Sequence, residues 1–218
     1  MANLRIIGDV HGKNAQYCDI TKSCDYSIQI GDMGFDYRLL TLLGVDSTKH
    51  KFFAGNHDNY DKYYGSAHTF NNTKDFGLTS HGGLEFFFVR GGFSIDWKQR
   101  QKSYFSGKAK SYWDNEELDL EEMEKALHEY RRVKPDIMIT HECPRSVSKY
   151  VGDNSILEMF GYNPGTFTTK TSELLEIMFQ HHQPKRWYFG HYHNNWSSEI
   201  NGTQFRCIDE LSYVELEL

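Results

Sequence analysis

Leu4-Arg5-Ile6-Ile7-Gly8-Asp9-Val10-His11-Gly12 decides how this 218-residue chain is read. Leu4 to Ile7 is a short apolar run of strand character, and Gly8 marks its end. Asp9 and His11 follow at once, beside a Gly12 that lets the backbone turn sharply. The same grammar recurs along the chain. Tyr26 to Ile30 leads into Gly31-Asp32, and Lys51 to Ala54 leads into Gly55-Asn56-His57-Asp58. Ile137 to Thr140 leads into His141-Glu142-Cys143, and Arg186 to Phe189 into Gly190-His191-Tyr192-His193. Each strand end thus delivers a His, Asp or Asn. In open α/β sheets the carboxyl ends of the strands form the ligand crevice, so these side chains are expected to converge.

Between the blocks, Asp36 to Leu43 reads as helical and Leu84 to Arg90 as a further strand. Leu120, Met123, Leu127 and Tyr130 recur at helical spacing, with Asp119 and Glu122 as a capping pair and Pro135 beyond the end. Ser172 to His182 is a second such helix, stopped by Pro184. Asn201-Gly202, between Trp196 to Ile200 and Thr203 to Cys207, is a hairpin signal because both turn positions tolerate positive φ. The chain therefore reads as an α/β fold, parallel βα units first and antiparallel β at the end. No linker divides it, so one domain over residues 1–218 is expected.

Composition narrows the function. Hydrophobic residues make up 39%, with 15 Phe, 14 Tyr and 4 Trp, which is enough bulk for a sizeable core and rules out a disordered chain. The longest apolar run, Phe86 to Val89, is far too short for a membrane span. Met1 to Arg5 carries no signal-peptide pattern, so a cytoplasmic protein is expected, with no membrane partner. A formal charge of −6 supplies no general field for nucleic acid, so nucleic-acid binding is not favoured and would need a local patch. Cys18, Cys24, Cys143 and Cys207 are scattered and read as reduced, structural thiols.

The convergent set offers carboxylates, one amide and several imidazoles, with no thiolate. Such donors suit transition ions of the manganese, iron or zinc kind rather than calcium or a structural zinc. They also exceed what one ion can use, which points to a pair bridged by a shared carboxylate. Two ions roughly 3.5–4 Å apart recur in phosphoester hydrolysis, where they clamp substrate and attacking hydroxide. His50, His68, His81, His128, His181 and His182 lie outside the blocks and read as ordinary histidines.

In this order, Gly-Asp-x-His-Gly, Gly-Asp, Gly-Asn-His-Asp, His and Gly-His-x-His resemble the signature of calcineurin-like metallophosphoesterases, from Gly8 to His193. Arg90-Gly91-Gly92-Phe93-Ser94-Ile95-Asp96 and Trp187 to His191 add a likeness to a bacterial and phage subgroup. The resemblance implies a four-layer αββα sandwich of two mixed β-sheets flanked by helices. It implies two divalent ions, manganese first, with iron, zinc or nickel as alternatives. Asp9, His11, Asp32 and His193 would hold one ion; Asp32 as the bridge, Asn56, His141 and His191 would hold the other. His57 would face the substrate phosphate as general acid or charge stabiliser while a bridging hydroxide attacks phosphorus. Asp58 either orients His57 or caps the segment that follows.

Departures from the family pattern narrow the substrate. The second block runs Gly31-Asp32-Met33-Gly34-Phe35-Asp36, and Asn59-Tyr60 follows His57-Asp58, so the two arginines of the phosphoprotein phosphatases are missing. A smaller phosphomonoester or phosphodiester is expected, with a nucleotide or cyclic nucleotide as the leading candidate. A nuclease and a non-catalytic binding scaffold are the alternatives. The first needs an extended basic track, and the second is at odds with the filled ligand positions.

Two segments bear on substrate choice. Between Trp97 and Trp113 lie Lys98, Arg100, Lys102, Lys108 and Lys110, interleaved with Tyr104, Phe105 and Tyr112 and free of acidic residues. This stretch reads either as a phosphate- and base-binding surface, with Lys98 and Arg100 nearest its start, or as a solvated loop. Pro144 to Thr169 reads as a long loop or lid after His141, from which Arg145 could reach a substrate phosphate; a contact between copies of the chain is the alternative.

Overall fold

The computed structural model describes residues 2–70 and 75–217. In chain order its elements are β1 (Asn3–Ile7), α1 (Asn14–Thr21), β2 (Tyr26–Gln29), α2 (Arg38–Leu42), β3 (His50–Phe52), α3 (Tyr60–Tyr63), β4 (Phe76–His81) and β5 (Leu84–Val89). There follow α4 (Trp97–Phe105), α5 (Leu120–Val133), β6 (Ile137–Thr140), α6 (Arg145–Val151), α7 (Asn154–Met159) and α8 (Lys170–His181). The chain closes with β7 (Arg186–Phe189), β8 (Trp196–Ile200), β9 (Thr203–Cys207) and β10 (Tyr213–Glu217).

These strands form two mixed sheets, one ordered β10-β1-β2-β3 and the other β4-β5-β6-β7-β9-β8. In the first, β1, β2 and β3 are parallel and β10 runs antiparallel to β1. In the second, β5, β6, β7 and β9 are parallel, with antiparallel β4 and β8 at the two edges. The apolar run of β5 shows why the sheets stack. Phe86 and Phe88 point at the other sheet and meet Leu4, Ile6, Ile28 and Phe53, while Phe87 and Val89 face the opposite way. Strands buried on both faces read as continuous apolar runs.

Helices cover the two outer faces. Tyr17 and Cys18 of α1, Leu40 of α2 and Tyr60 and Tyr63 of α3 pack with Ile7 and Phe52 on the first sheet. Met123, Ala126 and Tyr130 of α5, with Leu175, Met178 and Phe179 of α8, pack on Phe87, Met138, Trp187 and Phe189 of the second. The result is the expected sequence of layers, helix, sheet, sheet, helix. Among the described residues no helix is long and apolar enough to cross a membrane.

Several elements depart from the sequence reading. The tail is not purely antiparallel, because β9 lies parallel to β7 before β8 pairs with it. The β8–β9 turn itself is as expected, with φ of 51° at Asn201 and 81° at Gly202. β4 and β10 were hidden because each is an edge strand. Only Phe76 and Gly77 of β4 are buried, and β10 has no fully buried residue. The stretch after His141 holds the short helices α6 and α7 rather than a plain loop, and α4 forms inside the basic stretch without a single buried side chain.

Candidate metal centre and active site

The five strand ends meet at one end of the sandwich, and backbone geometry aims their side chains. Four of the seven expected ligands stand in the left-handed region: His11 at φ 49°, Asp32 at 60°, His191 at 70° and His193 at 47°. Such φ values are uncommon outside glycine and cost free energy, so they persist only where surrounding contacts impose them. Here those contacts are hydrogen bonds between blocks. Val10 N and His11 N donate to Asp32 O at 2.9 and 2.8 Å, and Gly190 N donates to His141 O at 3.0 Å.

Two groups of donor atoms result. In the first, His193 Nε2 lies 3.1 Å from Asp9 Oδ2, and His11 Nε2 lies 2.9 Å from His193 Nε2. His11 Nε2 is also 3.7 Å from Asp9 Oδ2 and 3.7 Å from Asp32 Oδ2. In the second group, Asn56 Oδ1 lies 2.8 Å from His141 Nε2 and 2.9 Å from His191 Nδ1, while His141 Nε2 is 3.4 Å from Asp32 Oδ1. Asp32 therefore touches both groups, the geometry a bridging carboxylate needs. All seven expected ligands, Asp9, His11, Asp32, Asn56, His141, His191 and His193, are brought together.

The donors fit divalent ions on several counts. Asp9 Oδ2 is buried and has no hydrogen-bond partner among the described residues. His141 Nδ1 lies 2.9 Å from Ile30 O; a proton on Nδ1 donated to that carbonyl leaves Nε2 bare and turned toward Asn56 and Asp32. Asn56 Nδ2 donates to Ser94 Oγ at 2.9 Å, so Oδ1 is the amide atom offered to the centre. Candidate ligand atoms of Asp9, His11 and His193, and likewise of Asp9, Asp32 and His141, all lie within 4.8 Å of one another. Charge is concentrated accordingly. Burial alone would push the Asp9 carboxyl up, but His11 and His193 outweigh it and hold it far below the carboxylate range. Burial pushes His11 down, yet Asp9 and Asp32 raise it to about 9.

His57 lies at the rim, its side chain 30% exposed and its backbone N donating to Asp32 Oδ1 at 2.6 Å. Asp58 does not face that ring. Its buried carboxylate accepts from Gly55 N at 2.7 Å, Asp32 N at 2.8 Å, Met33 N at 3.3 Å, Gly34 N at 3.0 Å and Tyr37 Oη at 3.1 Å. This is neither of the two roles the sequence left open, since no amide of the segment that follows is among its partners: Asp58 ties the second and third blocks together. The carboxylate facing His57 is Asp96, with Oδ1 3.7 Å from Nε2. Asp96 was missed as a site residue although Ser94 and Asp96 follow the end of β5, the same position that marked every other block.

The substrate candidates fare differently. Arg100 is not a free cation: its Nε lies 2.8 Å from Asp96 Oδ1, and its Nη1 is 2.6 Å from Ser111 O and 3.6 Å from Glu116 Oε1. Lys98 is exposed on α4. Arg145, exposed on α6, pairs with Glu173 at 3.3 Å rather than with any candidate ligand. Phe93 of the β5 loop has the rings of Tyr162 and Phe167 beside it, with centroids 6.1 and 6.0 Å away.

A family model described as calcineurin-like phosphoesterase matches residues 3–195. No curated protein matches the chain. Among solved structures, a hypothetical protein from Thermus thermophilus is 16% identical, with 94% of this chain and 75% of that chain covered at a TM-score of 0.43. A conserved uncharacterised protein of Streptococcus pneumoniae, described as a predicted phosphoesterase, is 12% identical, with 99% and 83% covered and a TM-score of 0.43. Phosphopantetheinyl hydrolase from Mycobacterium tuberculosis is 12% identical, with 95% and 89% covered and a TM-score of 0.49.

Proposed function

Because the chain belongs to the calcineurin-like phosphoesterase family, we propose that it hydrolyses a phosphomonoester or phosphodiester with two divalent ions, manganese first among them. One observation carries this reading: candidate ligands from five strand ends form two groups that share Asp32. Asp9, His11, Asp32 and His193 hold one ion; Asp32, Asn56, His141 and His191 hold the other. Bound there, the ions supply a nucleophile from water at neutral pH and neutralise charge on the phosphate oxygens.

The chain's own groups do the rest. The buried carboxylates of Asp9 and Asp32 fix the positive charge at the sheet ends, where an anionic ester then docks. His57, at the rim with a ring nitrogen within 4.8 Å of candidate ligand atoms of His11 and Asp32, gives its proton to the leaving oxygen as the P–O bond breaks. A small ester suits this site, because Arg100 is engaged by acidic partners and no arginine follows His57-Asp58 to grip a phosphoprotein. A nucleotide is the leading substrate class: Phe93, Tyr162 and Phe167 offer partly exposed rings close to Asp96. Lys98, Lys102 and Lys108, which have no ion pair among the described residues, favour oligonucleotides as the second class to try.

The test is turnover of p-nitrophenyl phosphate and bis-p-nitrophenyl phosphate with Mn²⁺, with and without chelator. Metal-dependent release of nitrophenolate is expected, and on alkyl esters, whose leaving groups are poor, His57→Ala should reduce turnover at least ~100-fold. No metal-dependent turnover of either ester would end the enzymatic reading. A panel of nucleotides, cyclic nucleotides and single-stranded oligonucleotides then separates the substrate classes.

A further inference from the structure

We infer that Asp96, outside all five ligand blocks, is the positioning residue that orients His57 for proton transfer to the leaving group. This rests on the phosphoesterase reading above and goes beyond it by naming what controls its acid. Three observations converge on Asp96.

The first is contact. Asp96 Oδ1 lies 3.7 Å from His57 Nε2, and both side chains are only about a third exposed, at 28% and 30%. At 3.7 Å the pair is an ion-pair contact longer than a hydrogen bond, and catalytic hydrogen bonds are often long until substrate tightens them. Of the two ring nitrogens, Asp96 faces Nε2.

The second is an unused capping position. Asp96 is the N-cap residue of α4, yet its side chain accepts no hydrogen bond from a backbone amide of that helix, only from the Arg100 side chain one turn on. Asp119 and Asp153 occupy the same position on α5 and α7, and both do cap, accepting from Glu122 N and Ser155 N. An N-cap aspartate is ordinarily worth about 1 kcal/mol to its helix. At Asp96 the carboxylate is turned to His57 and Arg100 instead.

The third is the scaffold behind it. Arg100 Nε holds Asp96 Oδ1 at 2.8 Å, and Arg100 is itself fixed by Ser111 O at 2.6 Å and Glu116 Oε1 at 3.6 Å. Glu116 is buried, and its backbone oxygen accepts from Gly92 N at 3.2 Å and from Tyr60 Oη at 3.2 Å. Tyr60 Oη also donates to Gly55 O at 2.8 Å, beside Asn56 and His57. The β5 loop, the start of α4 and the third ligand block are thus pinned to one another. Arg100 serves the acid through Asp96 rather than gripping substrate.

The step is balanced. Water adds its oxygen to phosphorus and releases a proton to solvent, and the P–O bond to the leaving group breaks. The proton on His57 passes to the leaving oxygen, giving an alcohol and a neutral imidazole that is reprotonated from solvent. Asp96 neither gains nor loses a covalent bond; it fixes the ring so that the proton faces the departing oxygen. Such fixing matters most where the leaving group is a poor one.

The experiment compares wild type, Asp96→Asn, Asp96→Glu and Arg100→Gln, all loaded with Mn²⁺, on phosphodiesters with leaving groups graded from nitrophenol to simple alkanols. For Asp96→Asn, kcat should fall less than about threefold with nitrophenol and about 100-fold with an alkanol, at unchanged KM. Asp96→Glu should recover part of the alkanol rate, and Arg100→Gln should lie between wild type and Asp96→Asn. Calorimetric Mn²⁺ affinity should be unchanged in all three variants. A loss equal across leaving groups, or no loss at all, would overturn the inference while leaving the phosphoesterase reading intact. A fall in Mn²⁺ affinity for Asp96→Asn would also overturn it, since His57 would then be acting as a ligand beside His11 and Asp32. Absence of turnover by wild type on every ester would overturn both.

Discussion

A methyl group added at Gly55 would lie against the carboxylate and backbone N of Asp32 and against the ring of His141. Backbone cannot yield as a flexible side chain can, so Gly55→Ala should shift the bridging carboxylate itself. We expect Mn²⁺ affinity to drop at least tenfold and unfolding free energy by about 1–3 kcal/mol, read by calorimetry and urea titration. Asp58 makes a different case, since it touches no candidate ion yet gathers four backbone amides and the Tyr37 hydroxyl. Asp58→Asn keeps the shape and sets amide hydrogens against those donors. A loss of about 2–4 kcal/mol is expected in chelator, where metal binding contributes nothing. A variant as stable as wild type would contradict the anchoring role. At this scale the sequence was most informative about ligands and least about what holds them. Asp9 and His11 declare themselves by type and spacing. The partner of a carboxylate such as Asp58 or Asp96 depends on side-chain direction, which only the folded loops decide.

At the scale of elements, β3, the segment after α3 and the end of β4 each carry one histidine that the sequence treated as ordinary. His50 is buried, with Nδ1 3.0 Å from Ser27 Oγ; His68 Nδ1 lies 3.4 Å from His50 O, and His81 Nε2 is 2.7 Å from Lys49 O. Burial lowers all three, His50 to about 4. The unfolded chain therefore binds protons below about pH 6.5 that the folded chain refuses, so stability falls as pH drops from there toward 4. Above pH 6.5 both states are neutral and the group contributes nothing. His50→Gln should remove close to one proton from the slope of stability against pH across that window, measured by urea unfolding at several pH values. An unchanged slope would contradict the assignment. Helix α5 supplies a second test, because its capping box joins Asp119 and Glu122 at 2.8 and 3.0 Å. Asp119→Ala should cost about 1 kcal/mol without altering turnover. The capping box and the apolar stripe of α5 were readable because both are local. β4 and β10 were not, since edge strands with one half-exposed face carry weak periodicity and depend on a partner distant in sequence. β10 pairs with β1, at the other end of the chain.

Across the whole molecule, the parallel strands of both sheets end on one side, and that is why five separated blocks become one centre. The four-layer order came from the family resemblance rather than from the apolar runs; its physical basis shows in β5, which buries one face against the other sheet and one against helices. The long stretch after His141 was less legible, because α6 and α7 are short and largely exposed and their packing leaves little trace in sequence. The central claim is a centre built for two ions, with Asp32 shared and turnover dependent on both. Its most direct test is a titration of chelator-stripped protein with Mn²⁺, following bound ions and phosphodiester turnover in the same samples. Turnover should rise only as the second ion binds and level off at two ions per chain, with Asp32→Ala failing to reach that plateau. Full turnover at one ion per chain, or turnover in the stripped protein, would contradict it.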